Sequence, residues 1–284
     1  MLVLDFCGQT NAQSEHTIEI RGNTWSDTTF RVAIIPQENQ SWWEPTYLDA
    51  ALHGVAQWND AIKDFSSQYP EFGYLSRITL IPIVTTEAVS GFDIYIGWIA
   101  ECEMESTIGQ TRLLANKPCT IINSTVCLAA KAPSGHVMTE IDMQNIVVHE
   151  LGHTFGLGHC SYSEDAMYAV VQYRETVKPL STLDLYAVSQ IFVWMNVSAQ
   201  FSSSSQCPEQ STLSLPSNIA YSNFQIAEEN LPTYYPKGFI EKALELFLRP
   251  EILIVLTIGV MLLLGATVLS KKQESNHSAN DQKL

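Results

Sequence analysis

His149-Glu150-Leu151-Gly152-His153-Thr154-Phe155-Gly156-Leu157-Gly158-His159 is the stretch on which the reading of this chain turns. The residues leading into it, TEIDMQNIVVHELGHTF from Thr139, predict a helix opened by a Thr139–Asp142 capping pair. Helical residues four apart lie on one face, about 6 Å apart along the axis. His149 and His153 can therefore bind one cation together, and Glu150 reaches the edge of that site without being a ligand. Gly156 permits a backbone turn that residues carrying a Cβ resist. That turn returns His159 as a third nitrogen ligand. Three neutral imidazoles leave a zinc ion its full charge and an open fourth position, an arrangement suited to activating water. Structural zinc sites more often close that position with cysteine. Three His, a Glu and a Gly at fixed spacing are far more specific than a lone HExxH.

Working outward, TTFRVAIIP (28–36) reads as a strand. EPTYLDAALHGVAQWNDAIKDF (44–65) reads as a helix, with Leu48, Ala51, Leu52, Val55, Trp58 and Ile62 at three-four spacing. ITLIPIVTT (78–86), FDIYIGWIA (92–100), IGQTRLL (108–114) and CTIINSTVCLA (119–129) read as four further strands. A last helix opens near Ser181, with Asp184 three residues on. From about residue 200 the chain turns rich in Ser, Pro and Gln and reads as a stalk. Residues 238–248 (GFIEKALELFL) read as a short amphipathic helix.

The formal net charge of −15 on 284 residues argues against nucleic-acid binding, which needs Lys and Arg to displace phosphate counterions. It also disfavours strongly acidic substrates, leaving apolar or basic peptides as the better expectation. The chain is not of a disordered type: 46% of residues are hydrophobic, 10% aromatic and only 16% charged. Part of the missing charge is explained by ILIVLTIGVMLLLGATVL (252–269), an uncharged run that would span roughly 27 Å as a helix and reads as one membrane crossing. Lys271 and Lys272 favour a cytoplasmic C-terminus, but Lys237, Lys242 and Arg249 before the span balance them. All six cysteines precede the span, as do the N-x-[ST] triplets that begin at Asn39, Asn123 and Asn196, which fits an extracytoplasmic body with some disulfides. The N-terminus, MLVLDFCGQTNAQ, lacks a basic n-region. It suggests a truncated start or insertion through the C-terminal span, with a cut after Ala12 as a further option.

HExxHxxGxxH followed by Met167, eight residues after His159, resembles the metzincin clan of zinc peptidases. The Met spacing, with Tyr168 directly after it, resembles the matrixin branch. The resemblance covers roughly residues 25–195. DIYIGWI, IGQT and TIIN fall where matrixin-like chains place three of their strands, and LSTLDLYAVSQIF (180–192) resembles their last helix. There are departures. Ala169 stands in place of a common proline after the Met. Cys160 follows the third His as in the archaemetzincins, but their further cysteines are Asp165 and Leu185 here, so no second, all-cysteine zinc site is expected. Cys160 is expected in a disulfide, with Cys207 as a candidate partner, or else buried. Cys7-Gly8 faintly resembles the inhibitory cysteine of matrixin propeptides.

The resemblance implies an α+β, zincin-like catalytic domain: a mixed twisted sheet with an active-site helix, a backing helix and a C-terminal helix. To this the sequence adds the transmembrane helix. It implies one catalytic zinc on His149, His153 and His159, with Glu150 as general base. Calcium is a further cofactor the family often uses, though no loop spells it out. Strand 108–113 would offer its edge to an extended protein or peptide substrate. Met167 would form a hydrophobic floor under the imidazoles. Tyr168, Val170 and Val171 would wall an apolar pocket. The organisation expected is an N-terminal segment (1–24, a candidate remnant of a signal or pro-region), a protease domain (25–196), a stalk (197–248), a membrane helix (251–270) and a polar tail (271–284). The function expected is a membrane-anchored zinc endopeptidase acting outside the cytoplasm. A non-catalytic surface binding or adhesion module on the same fold is the alternative. The oligomeric state is left open.

Overall fold

The computed structural model describes residues 16–225, apart from 87–89, 103–106, 117, 171–172, 174, 198–199 and 202–205. In chain order the elements are β1 (Thr17–Ile20), β2 (Thr24–Trp25), β3 (Thr29–Ile35), α1 (Thr46–Gln68), β4 (Thr79–Val84), β5 (Ile94–Glu101), β6 (Gly109–Asn116), β7 (Thr120–Lys131), α2 (Glu140–Phe155), β8 (Leu157–Cys160), α3 (Thr182–Ile191), α4 (Trp194–Val197) and β9 (Ser211–Ser214). A 3-10 helix, Pro70–Arg77, joins α1 to β4.

The main sheet runs β4-β3-β5-β7 in parallel, with β2 pairing the start of β7. β6 pairs β7 antiparallel and has no other strand partner among the described residues. Among those residues its other backbone edge takes no strand. The alternation seen in the sequence of β5 is kept: Ile94, Ile96 and Trp98 are buried, while Tyr95 and Gly97 are half-exposed.

The helices pack where their apolar stripes dictate. α1 buries Tyr47, Leu48, Ala51, Val55, Trp58, Ile62 and Phe65. It packs closely on α2, since a Cβ at Gly54 would overlap the side chain of Val147. Trp58, fully buried, donates its indole N–H to Val148 O at 2.9 Å. α2 and α3 both open with capping boxes, Thr139–Asp142 and Ser181–Asp184, at the positions their sequences foretold.

A second, three-stranded antiparallel sheet is ordered β8-β1-β9. It changes the reading of both flanks of the domain. Residues 17–20, assigned to an N-terminal remnant, form the central strand of this sheet, with Ile18 and Ile20 buried. Part of the stretch read as stalk folds back on the body. β9 pairs β1, Thr182 N donates to Ser222 O at 2.8 Å, and Ile219 and Phe224 are buried. A disulfide joins Cys119 to Cys207. Cys160 takes no part in it and remains a buried thiol. The Ser-rich composition suggested a linker because pairing between short strands far apart in sequence leaves no local pattern.

The run 252–269, the helix expected over 238–248, the polar tail and Cys7-Gly8 lie outside the described residues. Among those described, no helix is long and apolar enough to cross a membrane.

Candidate active site

α2 carries His149, Glu150 and His153 on its last turns and ends at Gly156, whose φ of 103° lies in the left-handed region that glycine enters without strain. The chain then reverses into β8, which brings His159 back. The three ring centroids stand 4.6, 5.0 and 5.5 Å apart. One nitrogen from each ring falls within 4.8 Å of the others. His149 and His153 are buried, and His159 is exposed at the mouth.

Neighbouring carbonyls orient two of these rings. His149 Nδ1 lies 2.9 Å from Ala166 O, and His153 Nδ1 lies 2.9 Å from Leu157 O. A carbonyl only accepts, so each Nδ1 carries the proton and each Nε2 keeps its lone pair. Burial lowers the pKa of His149 to about 4 and that of His153 to about 2, so both are neutral near pH 7. Neutral imidazoles with free Nε2 lone pairs, converging to ligand spacing, fit a zinc ion. No second group of His, Cys, Asp or Glu side chains reaches metal-ligand spacing among the described residues.

Met167 is fully buried and packs against α2 where Gly152 leaves room, since a Cβ there would come 2.8 Å from Met167 Cε. Its turn is tied to the site twice: Cys160 N donates to Met167 O at 2.8 Å, and Ala166 supplies the carbonyl that holds His149.

Glu150 is buried, and burial raises its pKa to about 7. Thr111 on β6 opposes that shift. Its hydroxyl lies 2.6 Å from Glu150 Oε2 and 2.9 Å from Glu150 O. The charge of Arg21 opposes it further. The whole group opens on a cavity of about 700 Å³ bounded by β6, α2 and Ala169, Val170 and Tyr173. Val170 lines it as expected. Tyr168 does not, and instead lies beneath the Lys178 ammonium, 5.9 Å from its ring centre; Val171 lies outside the described residues.

Thr111 and Arg21 join the site without a local signal in the sequence. Thr111 lies in a strand that the sequence predicts, but its partner is 39 residues away. Arg21 reaches the site from the residue just after β1, a strand with no signal of its own.

The sequence profile of the matrixin family matches residues 50–193. The metalloendoproteinase 4-MMP of Arabidopsis thaliana is 35% identical over 52 residues, which is 18% of this chain and 15% of that protein. The profile covers half the chain and contains all three histidines, Glu150 and the Met167 turn, and on this evidence the chain belongs to the matrixin family, with a domain of zinc metallopeptidase type.

Proposed function

We propose that this chain is a membrane-anchored zinc endopeptidase that hydrolyses extracytoplasmic proteins or peptides. The observation carrying the reading is the convergence of His149, His153 and His159 beside buried Glu150, at the foot of a cleft edged by the open strand β6. His149, His153 and His159 would hold the zinc. When bound, it supplies a Lewis acid that polarises the scissile carbonyl and makes water more acidic.

The remaining steps belong to the chain. β6 presents backbone N–H and C=O groups to an extended peptide, which adds to the sheet as one more strand. Ala169 and Val170 give the cavity an apolar wall for a substrate side chain. Glu150 takes a proton from the attacking water and passes it to the departing amine. Thr111 holds the Glu150 carboxylate toward β6. Gly152 and Met167 keep the helix and turn close-packed beneath the rings.

Full-length protein loaded with zinc is expected to cleave a denatured protein substrate. Chelator should abolish cleavage, and Glu150→Gln should slow it by about 10²–10⁴-fold. Undiminished turnover by purified Glu150→Gln would overturn the general-base role. Zinc bound at one per chain without cleavage of any peptide in a broad library would replace the enzyme with a binding module. The anchor rests on the run 252–269. Full-length chain should partition into membranes and a 1–248 truncation should not; equal partitioning would remove the anchor from the proposal.

A further inference from the structure

β1 and β8 pair antiparallel, with Ile20 opposite Leu157, and Arg21 N donates to Gly156 O at 2.9 Å. This pairing fixes which side chains face the site. Ile18 and Ile20 point into the core, so Glu19 and Arg21 share the other face, beside the strand that carries His159. Arg21 is exposed and lines the cavity with Glu150 and the three histidines. No other Lys or Arg does so among the described residues.

Among the described residues the guanidinium meets one side chain there, the His153 ring. Its Nη2 stands 3.2 Å from His153 Nδ1. That nitrogen cannot serve both neighbours: it donates to Leu157 O, and a protonated Nδ1 has no lone pair in the ring plane to accept from Arg21. Ligation through Nε2 requires this tautomer. The Arg21 contact is then donor against donor, and its N–H groups await an acceptor. No carboxylate of the described residues lies within 4.0 Å of Arg21. Glu19 and Glu150 influence it only at longer range. A planar fork of N–H donors, accessible from the cleft and facing no carboxylate of the described residues at ion-pair distance, matches a carboxylate in shape and charge.

We infer that Arg21 is a specificity-determining residue that binds a carboxylate of the peptide substrate close to the scissile bond. This rests on the cleft being a peptide site. The carboxylate comes from an Asp or Glu side chain or from a free peptide C-terminus. The preference is local: it selects one carboxylate at one subsite, within a body whose net charge of −15 still repels strongly acidic chains.

The test uses full-length, zinc-loaded protein and matched fluorogenic peptides. One set exchanges Glu for Gln at each of three positions on either side of the cut. A second pair differs only in a C-terminal acid or amide. In wild type, one position or the free C-terminus should raise kcat/KM about tenfold over its neutral partner, the scale of a charged hydrogen bond. The ratio should fall to about one in Arg21→Gln and shift toward Lys-containing peptides in Arg21→Glu. Arg21→Lys, which keeps the charge without the fork, should retain part of the preference and covers the case of a poorly folding Gln variant. Binding of the same labelled peptides to full-length Glu150→Gln, read by fluorescence anisotropy, decides the question without turnover. A ratio near one at every position in wild type, or a preference that survives Arg21→Gln, would overturn the assignment. Absence of cleavage with a clear affinity ratio would instead overturn the proposed activity and leave Arg21 in its role.

Discussion

A threonine hydroxyl has one proton, and Thr111 has two oxygens of Glu150 within reach, the carboxylate at 2.6 Å and the backbone carbonyl at 2.9 Å. While Glu150 is ionised, donation to the carboxylate is the stronger choice, because charge-assisted hydrogen bonds are shorter and stronger. Thr111 is on this view a positioning residue that acts through Glu150. Thr111→Val keeps the shape and removes the donor. It should lower kcat about tenfold or more while leaving KM within about twofold, the pattern for a group that acts mainly in the transition state. Thr111→Ser should restore most of the rate. A matched rise in KM, or failure of serine to rescue, would assign Thr111 to strand packing alone.

Among the elements, α3 and the Met167 turn meet over two buried acids. Asp165 accepts from Met167 N at 2.8 Å, Ser181 Oγ at 2.7 Å and the Tyr221 hydroxyl at 3.1 Å, which satisfies a carboxylate. Asp184 accepts from Ser181 N at 2.9 Å, while its Oδ1 finds no partner. Burial first, and the charge of Asp165 second, hold Asp184 well above the ordinary carboxylate range. The neighbouring Cys160 thiol and Tyr221 phenol are pushed up by burial and by the same acids. A carboxyl raised on folding contributes its full stability below its unfolded pKa of about 3.9 and loses it as pH rises through the folded value. Asp184→Asn needs no proton and can still accept from Ser181 N. The variant should therefore melt higher than wild type at pH 8, with the gap closing toward pH 4. A gap independent of pH would show that Asp184 is ionised throughout. Thermal melts of both proteins in the same buffers decide this.

Legibility at this scale followed locality. α1, α2, α3 and strands β3 to β7 announced themselves because their periodicity and caps are contained within a few turns or residues. His149, Glu150 and His153 are readable for the same reason, since helix geometry sets their spacing, and His159 is readable because the turn at Gly156 lies only three residues before it. β1, β8 and β9 have four residues each and take partners from distant parts of the chain. Nothing within four residues encodes such a pairing, and Arg21 was hidden with it.

For the molecule as a whole, the Cys119–Cys207 bond ties the start of β7 to the returning segment across 88 residues. Chain-entropy arguments give such a closure about 4–5 kcal/mol. For a domain of this size, that corresponds to a fall of about 10 °C or more in Tm. Cys207→Ser should show such a fall under non-reducing conditions, whereas Cys160→Ser should leave the disulfide intact in a peptide map. Recovery of a Cys160–Cys207 peptide from native protein would contradict the connectivity.

The three-stranded sheet has a consequence for synthesis. His159 lies in β8, which pairs β1, and β1 is completed on its other side only by β9, more than fifty residues later in the chain. Until residues 211–214 have been made and folded back, β1 is an unfinished edge and the strand beneath the third histidine lacks half its support. The last strand of the described chain thus locks the first. A chain ended before β9 would still carry His149, Glu150 and His153 on α2, packed against α1, yet would lack the strand that completes the support of β1 beside His159. Closure of the three-stranded sheet and the seating of His159 are thereby linked through a single strand, β1.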